Sequence, residues 1–375
     1  MVTKEKFIIF SHYYFPFFGG IQRFIKSRVD NIEIDKLILI TSEPEPKNKY
    51  NAKVIFRKFK YSKSSRFLQF THSIKSIYKE LLNVETIQIE CSSIYPGGLC
   101  VYLLKILFFY KKINLTIYIH GDEFLKAKNS ILVYFLYKLI FSKTERIIAN
   151  SLLTKKIFKE IFKTTPTIKV INPPPSIDFC ERITKNKHKI IKKNSKLKII
   201  SVCRLVEKKN IKVIIQAVFL LIKKNYKISY QICGSGPELE NLKKITNELN
   251  LSNFVLFFEN LDDEKLVKKY SESDIFILST KTNIERNEIE GFGIVFLEAL
   301  SSGLVVLYPY NSGAKDIRQY SDLCIPIKSN DAQQISENIE SAIKKSNNSL
   351  LRQNSKKETL DKIAKTYSLL AKKVI

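Results

Sequence analysis

Short apolar runs alternate with longer, partly polar stretches along both halves of the chain, and this alternation restricts the possible folds most. Such a run suits a strand that is covered on both faces, and the stretches between runs are long enough for helices. Strands alternating with helices predict an α/β fold, with parallel sheets between layers of helices. The predicted strands are residues 7–10, 36–41, 53–56, 86–90, 115–119, 146–149 and 168–171, then 197–202, 227–233, 254–258, 274–278 and 304–308.

The alternation is interrupted by Asn172 and the three prolines at 173–175. A basic stretch follows at residues 182–198, where eight of 17 residues are Lys or Arg and none is acidic. Because consecutive prolines continue neither a helix nor a central strand, we predict a domain boundary here. The predicted division is an N-terminal domain at 1–175, a linker at 176–196, a C-terminal domain at 197–349 and a C-terminal helix at 350–375.

The net charge of +27 favours anionic partners such as nucleotides, phospholipid surfaces or nucleic acid. Of the 63 basic residues 53 are Lys, and Lys, Ile and Asn are abundant while Trp is absent. This bias is typical of an AT-rich genome, so the charge overstates any functional signal. The basic stretch 182–198 contains no Phe, Tyr or Trp and lies in the predicted linker, so we expect no nucleic-acid partner.

Six cysteines form no Cys-x-x-Cys pair and no spacing typical of a metal site, so we expect reduced thiols in a cytoplasmic protein. Only four apolar residues follow the charged residues 4–6, and this pattern does not predict a signal peptide. The longest apolar runs are 99–110 and 131–141. Both are shorter than the roughly 20 residues of a transmembrane helix, and we predict that both are buried helices.

Residues 47–66 carry eight basic residues and no acidic one, and an amphipathic helix is predicted to follow. Two interpretations remain open. Residues 47–82 bind an anionic membrane surface, peripherally on the inner face of the cytoplasmic membrane, or a lysine-rich loop leads into a helix that packs on the sheet. The apolar residues of this helix recur at three- and four-residue steps: Phe67, Phe70, Ile74, Ile77 and Leu81.

Residues 290–303 carry two glutamates and a Gly-x-Gly turn between two predicted strands. Glu290 and Glu298 are eight positions apart, and a helix that starts near Gly293 would have Glu290 just before its N-terminus. Gly291 and Gly293 would let backbone N–H groups approach an anionic ligand at the positive end of that helix. The alternative is a packed amphipathic helix with two incidental glutamates.

Other loops after predicted strands carry residues that suit phosphate binding. Gly19 and Gly20 join the first strand to a helix and permit close backbone approach to a phosphate. Arg204 and Lys209 are five positions apart across a strand–helix turn, and both can reach a diphosphate. No acidic pair has the pattern of a magnesium site, so we expect these cations to act without a metal or other cofactor. Each feature alone also fits an ordinary turn or a surface pair.

His120 ends the fifth predicted strand, where open α/β sheets bind ligands; a packed or capping histidine is the alternative. Gly234 and Gly236 follow the strand at 227–233, but the third glycine of a dinucleotide fingerprint is missing. Both halves thus have glycine loops at strand ends, and we expect a ligand in the cleft between them.

Together these motifs resemble those of the group-1 family of retaining glycosyltransferases, which have the GT-B fold and use nucleotide-sugar donors. The strongest match, Glu290-Gly-Phe-Gly-Ile-Val-x-Leu-Glu298-Ala, looks like the family's Glu-x7-Glu signature. The spellings are most similar to those of phosphatidylinositol mannosyltransferases and related bacterial polysaccharide enzymes. The resemblance spans nearly the whole chain and includes Gly19-Gly20-Ile-Gln, His120-Gly-Asp-Glu, Arg204-Leu-Val-x-x-Lys209 and Gly234-x-Gly236-Pro237.

The resemblance implies two Rossmann-like domains facing across a cleft, with the C-terminal helix crossing back to the N-terminal domain. It implies that Gly19 and Gly20 lie against the donor phosphate and sugar, and that His120 lies beside the transferred sugar. Arg204 and Lys209 would hold the diphosphate.

The same resemblance places Glu290 at the sugar, Glu298 at the ribose and the nucleotide base near Leu261. The expected catalytic residues are His120, Arg204, Lys209 and Glu290. The other expected donor-binding residues are Gly234, Gly236, Gly291, Phe292, Gly293 and Ile294.

The chain departs from the family pattern at several positions, which bear on the base contacts more than on the catalytic residues. Cys203, Asn210 and Glu259 each stand where the family usually has Gly. Ser312 replaces the first Gly of a Gly-Gly pair, and Asp316 replaces a Glu.

The expected activity is transfer of a hexose from a UDP- or GDP-sugar to a saccharide or lipid-linked acceptor, with retention of configuration. Its expected setting is bacterial cell-surface polysaccharide, such as lipopolysaccharide, or glycolipid synthesis. One alternative is an epimerase or phosphorylase on the GT-B scaffold. Another is a non-catalytic basic protein that binds a membrane surface or nucleic acid through 47–66 and 182–198, without needing Arg204 or Glu298.

Overall fold

The computed structural model describes residues 3–12, 19–41, 54–58, 66–82, 84–163, 166–185 and 196–373. The chain divides into two compact units. The first joins Met1–Pro174 to Thr366–Ile375, and the second is Pro175–Lys365. Each unit has its own parallel sheet with helices packed against it. The α/β class is therefore confirmed, and its parallel sheets explain why the predicted strands are continuous apolar runs.

The first unit contains a seven-stranded sheet in the order β3-β2-β1-β4-β5-β6-β7, and neighbouring strands all run parallel. One face of the sheet packs on the first helix, α1 (Gly20–Asn31), through Phe24, Ile25 and Val29, with Leu370 from the end of the chain in the same cluster. The strands are β1 (Thr3–Ser11), β2 (Leu37–Thr41), β3 (Val54–Lys58), β4 (Val84–Cys91), β5 (Lys112–Ile119), β6 (Arg146–Ala149) and β7 (Thr167–Val170).

Right-handed crossovers place α1 on one face of this sheet and α2 to α5 on the other, because α1 alone leads back toward the β3 edge. A turn at Ile94–Gly98, in which Tyr95 has an extended backbone, follows β4, and a 3-10 helix at Asp122–Lys128 follows β5. The helices are α1 (Gly20–Asn31), α2 (Arg66–Leu81), α3 (Leu99–Leu107), α4 (Ile131–Ser142) and α5 (Leu152–Ile161).

Helix α2 uses its apolar stripe for packing. Ile77 and Leu81 are fully buried, while Phe67 at the start of the helix is 72% exposed. Phe70 and Ile74 are partly buried, and the helix packs on α3 and β4. The C-terminal part of the stripe is therefore used for packing within the first unit. Most of the basic stretch that precedes it lies outside the described residues.

The prediction that the apolar runs 99–110 and 131–141 are buried was wrong for half of each run. Both runs form helices, α3 and α4, whose inner faces are buried. Their outer faces are apolar too, and remain exposed: Leu107 is 64% and Leu132 is 79% exposed. Apolar composition all round a helix predicts burial, but only one face of each helix meets the sheet. No helix among the described residues combines the length and apolar character that crossing a membrane requires.

The second unit contains a six-stranded parallel sheet in the order β10-β9-β8-β11-β12-β13. The last strand was not predicted, because it is short, alternates between buried and partly buried residues, and contains Pro326. The strands are β8 (Leu197–Val202), β9 (Ile228–Cys233), β10 (Val255–Phe258), β11 (Ile275–Ile277), β12 (Val305–Pro309) and β13 (Cys324–Ile327).

Seven helices in the described part of the chain begin in this unit, and 3-10 turns lie at Glu207–Lys209 and Gly313–Gln319. Helix α6 lies within the segment predicted as a linker and buries Phe179 and Ile183, which are one helical turn apart. The helices are α6 (Ile177–Lys185), α7 (Ile211–Lys223), α8 (Leu239–Glu248), α9 (Asp263–Ser271), α10 (Ile294–Ser301), α11 (Ala332–Ser346) and α12 (Ser349–Ala371).

Two buried arginines hold the ends of the 23-residue helix α12. In the second unit, Arg352 donates to the carbonyls of Gly303, at 2.8 Å, and Ser273, at 3.2 Å. In the first unit, Arg28 donates to the carbonyls of Leu370 and Lys372 and pairs with Glu90 at 2.7 Å. The C-terminal helix therefore ends in the first unit, as the family resemblance implies.

Candidate active site

The candidate residues of the second unit lie in loops at one edge of its sheet. Arg204 and Lys209 follow β8, Gly234 follows β9, Glu290 lies between β11 and α10, and Ser312 follows β12. Because all these strands are parallel, their carboxyl ends meet at the same edge. This is the edge at which open α/β sheets bind ligands.

An ion pair between Lys209 and Glu290 lies at the centre of these loops. The Lys209 ammonium donates to Oε2 of Glu290, and the two side chains are only 15% and 12% exposed. Thr280 donates to the same oxygen at 3.1 Å. Burial raises the pKa of Glu290, but the Lys209 charge and the two hydrogen bonds outweigh it, so the pKa lies below its usual value. Glu290 is therefore an anion and an acceptor near neutral pH, and is poorly suited to donate a proton.

The backbone around Glu290 is also fixed. Helix α10 begins at Ile294, as predicted, and Gly293 before it has a φ of +82°. A Cβ atom at Gly293 would lie 2.6 Å from the Phe296 ring and 3.5 Å from Oε1 of Glu290. The Glu290 carbonyl accepts a 2.8 Å hydrogen bond from the N–H of Gly313. Glycine is thus required at position 293, and the turn holds the carboxylate beside the N-terminus of α10.

The side chains on either side of Gly293 are buried. Phe292 is 1% exposed and Ile294 is 6% exposed, while Gly291 is partly exposed. A ligand at this turn would therefore meet the backbone N–H groups and the Glu290 carboxylate, because the Phe292 and Ile294 side chains are buried.

Asn210 explains one departure from the family pattern. Its φ of +56° lies in the left-handed region, where Gly is the usual residue and Asn is tolerated. Its buried side chain donates to Oγ of Ser279 at 3.3 Å, and the N–H of Lys281 donates to the Lys208 carbonyl at 2.8 Å. These contacts join the Lys209 loop to the loop that carries Thr280.

The glycines at 234 and 236 hold the Arg204 loop in place. A Cβ atom on Gly234 would lie 1.9 Å from the Cys203 carbonyl oxygen, and one on Gly236 would lie 2.2 Å from that of Leu205. The N–H of Leu205 donates to the Ser235 carbonyl at 2.9 Å. The backbones of the two loops are in direct contact. Both positions therefore require glycine for packing, independent of any ligand.

Arg204 and Cys203 differ sharply although they are neighbours. Arg204 is exposed and makes no side-chain hydrogen bond or ion pair with any residue that the structure describes. Burial raises the pKa of the Cys203 thiol to about 12, partly opposed by the Lys209 charge. The Cys203 thiol is therefore protonated near neutral pH, whereas the Arg204 guanidinium is available to an anion.

Glu298 lies in a different environment from Glu290. It is 1% exposed, and its Oε2 accepts a 3.0 Å hydrogen bond from the Tyr270 hydroxyl of α9. Tyr270 is itself fully buried, 5.7 Å from Phe179 between ring centroids. The sequence did not single out Tyr270 or Thr280, because no local spacing marks either as a partner of a distant glutamate. Leu261 is partly exposed after β10 and follows Asn260, whose φ is +49°.

In the first unit, His120 follows β5 and is anchored from several sides. Its Nε2 contacts the Ser92 carbonyl at 3.1 Å, and its own carbonyl accepts a 2.6 Å hydrogen bond from Asn150. Burial lowers the pKa of His120 to about 4, although the hydrogen bond to Ser92 acts in the opposite direction. The ring is therefore neutral near pH 7, and a ring that donates from Nε2 has an acceptor at Nδ1.

Glu123 supports the same loop by accepting a hydrogen bond from the His120 N–H. Burial raises the pKa of Glu123 to about 7, although the backbone N–H groups of His120, Glu123 and Gly121 favour its charged form. The motif His120-Gly-Asp-Glu thus contains a neutral histidine and a carboxyl group that titrates near neutral pH.

Gly19 and Gly20 precede and begin α1, at the same sheet edge as His120. A Cβ atom on Gly20 would meet no atom within 4 Å, and one on Gly19 would meet only the end of the Gln22 side chain. Neither has a left-handed φ. Among the described residues nothing in the packing demands glycine here, unlike at Gly234 and Gly236. The structure does not assign ligand roles to any of these candidate residues, and those roles stay predictions.

Solved structures share this architecture. The Anabaena protein HepE, solved in complex with UDP, matches with a TM-score of 0.72 over 98% of both chains, at 14% sequence identity. At this identity the likeness shows the fold alone. The protein has the two-domain GT-B fold.

Sequence comparison finds glycosyltransferases among the relatives of this chain. Residues 182–361 match the family model for glycosyl transferases group 1. An uncharacterized glycosyltransferase of Methanocaldococcus jannaschii is 26% identical over 368 residues, which cover 92% of this chain and 91% of that protein. The GDP-mannose-dependent alpha-(1-6)-phosphatidylinositol monomannoside mannosyltransferase of Mycolicibacterium smegmatis is 29% identical over 118 residues, 32% of this chain and 31% of that enzyme. Over residues 182–361 the chain is thus similar to the group-1 glycosyltransferases.

Proposed function

We propose that the protein is a retaining glycosyltransferase that moves a hexose from a UDP- or GDP-sugar to a saccharide or lipid-linked acceptor. The structural relative HepE was solved with UDP, and the mycobacterial relative is GDP-mannose-dependent, which supports a nucleoside diphosphate sugar as donor. The motif resemblance supports a role in bacterial cell-surface polysaccharide or glycolipid synthesis.

The observation that carries this proposal is the Lys209–Glu290 pair at the N-terminus of α10, with the exposed Arg204 in the same loop as Lys209. A diphosphate needs cationic donors, which Arg204 supplies as a planar fork and Lys209 as a point charge. The N-terminus of α10 adds backbone N–H donors, which carry partial positive charge and also attract an anion. A sugar needs acceptors for its hydroxyl groups, and ionised Glu290 supplies them.

In the proposed reaction, the acceptor hydroxyl oxygen attacks the anomeric carbon from the side that the diphosphate leaves. The bond between that carbon and the phosphate oxygen breaks, its electron pair stays on the diphosphate, and the acceptor proton passes to a phosphate oxygen. Arg204 and Lys209 stabilise the charge that develops on the diphosphate, without a metal ion. The configuration at the anomeric carbon is therefore retained.

The remaining candidate residues position the donor in this proposal. His120 accepts a hydrogen bond from a sugar hydroxyl at Nδ1, because its ring is neutral. Glu298 receives the ribose hydroxyls with a carboxylate that Tyr270 already orients. The backbone near Leu261 contacts the base, and Gly19 and Gly20 allow the donor to approach the main chain.

A thermal-shift screen with UDP-, GDP- and ADP-sugars tests the proposal. A ligand that binds only the folded protein raises its melting temperature, so the proposal predicts a rise with one nucleotide series. Inorganic phosphate at the same ionic strength is the control for non-specific anion binding to a chain of charge +27. If no nucleoside diphosphate raises the melting temperature above the phosphate control, the proposed donor class is wrong.

A further inference from the structure

The outer face of α4 is apolar and uncovered. Its exposed side chains recur at helical spacing, and each is between 37% and 79% exposed: Ile131, Leu132, Phe135, Leu136 and Leu139. The opposite side of the helix, with Tyr137, Ile140 and Phe141, is buried against the first unit. A surface helix of a globular domain normally has a polar outer face, and here Lys138 is the only charged residue in the helix.

The end of α3 and the turn after it repeat this pattern. Ile106 is 51% and Leu107 is 64% exposed. In the turn, Phe109 is 85% and Tyr110 is 68% exposed, among the most exposed large apolar side chains in the described part of the chain. Aromatic residues of this kind are favoured where a protein meets the interfacial layer of a lipid bilayer.

The turn that presents Phe109 and Tyr110 is held in place. The Lys111 ammonium donates to the carbonyls of Leu81, at 2.6 Å, and Val84, at 2.9 Å. The Phe108 ring lies 5.7 Å from the Tyr78 ring of α2 between centroids. The two protruding rings are therefore presented by an anchored turn, rather than by a loop that could fold back over them.

The two apolar surfaces lie side by side. Helices α3 and α4 are consecutive crossovers on the same face of the sheet, and Lys105 of α3 donates to the Lys143 carbonyl at the end of α4, at 2.7 Å. Their outer surfaces both point away from the sheet. We call the combined surface the α3–α4 face: Leu103, Ile106, Leu107, Phe109, Tyr110, Ile131, Leu132, Phe135, Leu136 and Leu139.

The part of the chain that carries the α3–α4 face is rich in lysine. Residues 99–145 contain seven lysines and three acidic residues, and one of these three, Glu145, pairs with Lys105. Lys112, Lys138 and Lys143 are exposed. Lysine stems can lie along an apolar surface while their ammonium groups reach lipid phosphates.

We propose that the α3–α4 face docks on an anionic lipid membrane, with Phe109 and Tyr110 entering the interfacial layer and the lysines contacting lipid headgroups. Exposed apolar residues with exposed lysines on the same segments complement a bilayer surface, which is apolar inside and negative outside. This surface differs from the 47–82 segment that the sequence suggested, whose helix buries Ile77 and Leu81 of its stripe. The proposal does not depend on the donor or the reaction.

The absence of Trp from the chain allows a direct test. Phe109→Trp gives a single reporter in the α3–α4 face, and Leu350→Trp gives a control at a residue that is 66% exposed but outside it. With phosphatidylglycerol vesicles, Trp at 109 should shift its emission to the blue and be quenched by brominated lipid, while Trp at 350 should do neither. Unchanged emission from position 109 would overturn the proposal.

A binding measurement gives a second test. Replacing Phe109 and Leu132 together by Ser should lower partitioning onto phosphatidylglycerol vesicles by roughly tenfold or more, because two large apolar side chains no longer leave water. Leu350→Ser is the matched control, and the basic segment 47–66 is unchanged in all variants. Equal partitioning of the double variant and the parent would refute the proposal. A second outcome would also refute it: the parent is a dimer, the double variant is a monomer, and both bind vesicles equally. In that case a second copy of the chain, rather than a membrane, covers the α3–α4 face.

Discussion

Glu290 is largely buried and still anionic, because Lys209 and Thr280 both donate to its carboxylate. In the absence of a ligand the pair also neutralises Lys209, so the loop does not leave a buried cation unpaired. A donor diphosphate would compete for Lys209, and the sugar hydroxyls would take up the acceptor capacity of Glu290. The two residues are thus prepared for a ligand with a negative part and a hydroxyl-rich part.

Glu290→Gln tests this role at the scale of one residue. The amide keeps the size of the side chain and can still accept a hydrogen bond from Thr280, but it loses the charge. We expect transfer to fall by roughly 100-fold or more. The melting temperature should fall as well, because the amide leaves the largely buried Lys209 charge without its anion. The exposed Glu285→Gln is the control. Near-normal turnover of the Glu290 variant, measured as transfer of labelled sugar, would remove Glu290 from the site.

The raised pKa of Glu123 predicts that the stability of the protein depends on pH. Its folded pKa of about 7 lies above the ordinary value of 4.5, so it favours the folded state fully below about pH 4.5, and this contribution is lost as pH rises through about 7. Glu123→Gln removes that titration. The melting temperature of the variant relative to the parent should therefore rise between about pH 4.5 and about pH 7. His120 titrates in both proteins and leaves the difference unchanged. A difference that stays constant over this range would contradict the raised pKa.

At the scale of elements, the interlocked loops after β8 and β9 determine where the cationic side chains lie. Gly234→Ala would force a left-handed φ of +149° on Ala and place its Cβ against the Cys203 carbonyl. We expect a loss of about 1–3 kcal/mol in the free energy of unfolding, measured in urea, and weaker diphosphate binding.

Gly20→Ala is the matched control for that substitution, because its Cβ would meet no atom within 4 Å. It should leave stability unchanged, and lower transfer only if a ligand approaches Gly20. Equal stability of Gly234→Ala and the parent would show that the loops do not interlock as described.

Much of the fold follows from local sequence, and the exceptions have physical reasons. Parallel strands that are buried on both faces are mostly apolar, and strands β1 to β12 each overlap a predicted apolar run. Strand β13 lacks that signal because its residues alternate in burial. The exposure of the α3–α4 face could not be predicted, because apolar composition does not say which side of a helix has a partner.

The candidate site was predictable as a set of residues but not as a set of contacts. Glycine turns and charged residues after strands mark their own loops, and Gly293 indeed precedes α10. Lys209 and Glu290 are 81 positions apart, so their pairing depends on strand order rather than on local spacing. The burial of Glu298 against Tyr270 depends in the same way on the packing of α9 against α10.

At the scale of the whole molecule, helix α12 belongs to both units, and Arg28 anchors its end in the first. Arg28 is fully buried, pairs with Glu90, and donates to the carbonyls of Leu370 and Lys372. A lysine could not make these contacts together, because it lacks the planar fork.

Arg28→Lys should therefore lower the free energy of unfolding of the first unit by about 3 kcal/mol. Hydrogen exchange followed by mass spectrometry should show faster exchange at residues 366–373, with the second unit unchanged. The exposed Arg286→Lys is the control. Unaltered exchange at the C-terminal residues would contradict the anchoring role of Arg28.

In the proposed function, the Lys209 loop of the second unit binds the donor diphosphate. Calorimetric titration of the nucleoside diphosphate identified by the thermal screen measures this directly, in the parent, in Lys209→Ala and in Lys212→Ala. Lys212 is exposed on α7, three positions away, and controls for the loss of one positive charge. We predict that Lys209→Ala weakens binding by roughly tenfold or more while Lys212→Ala binds as the parent does. Equal affinity of all three proteins would show that Lys209 does not bind the diphosphate.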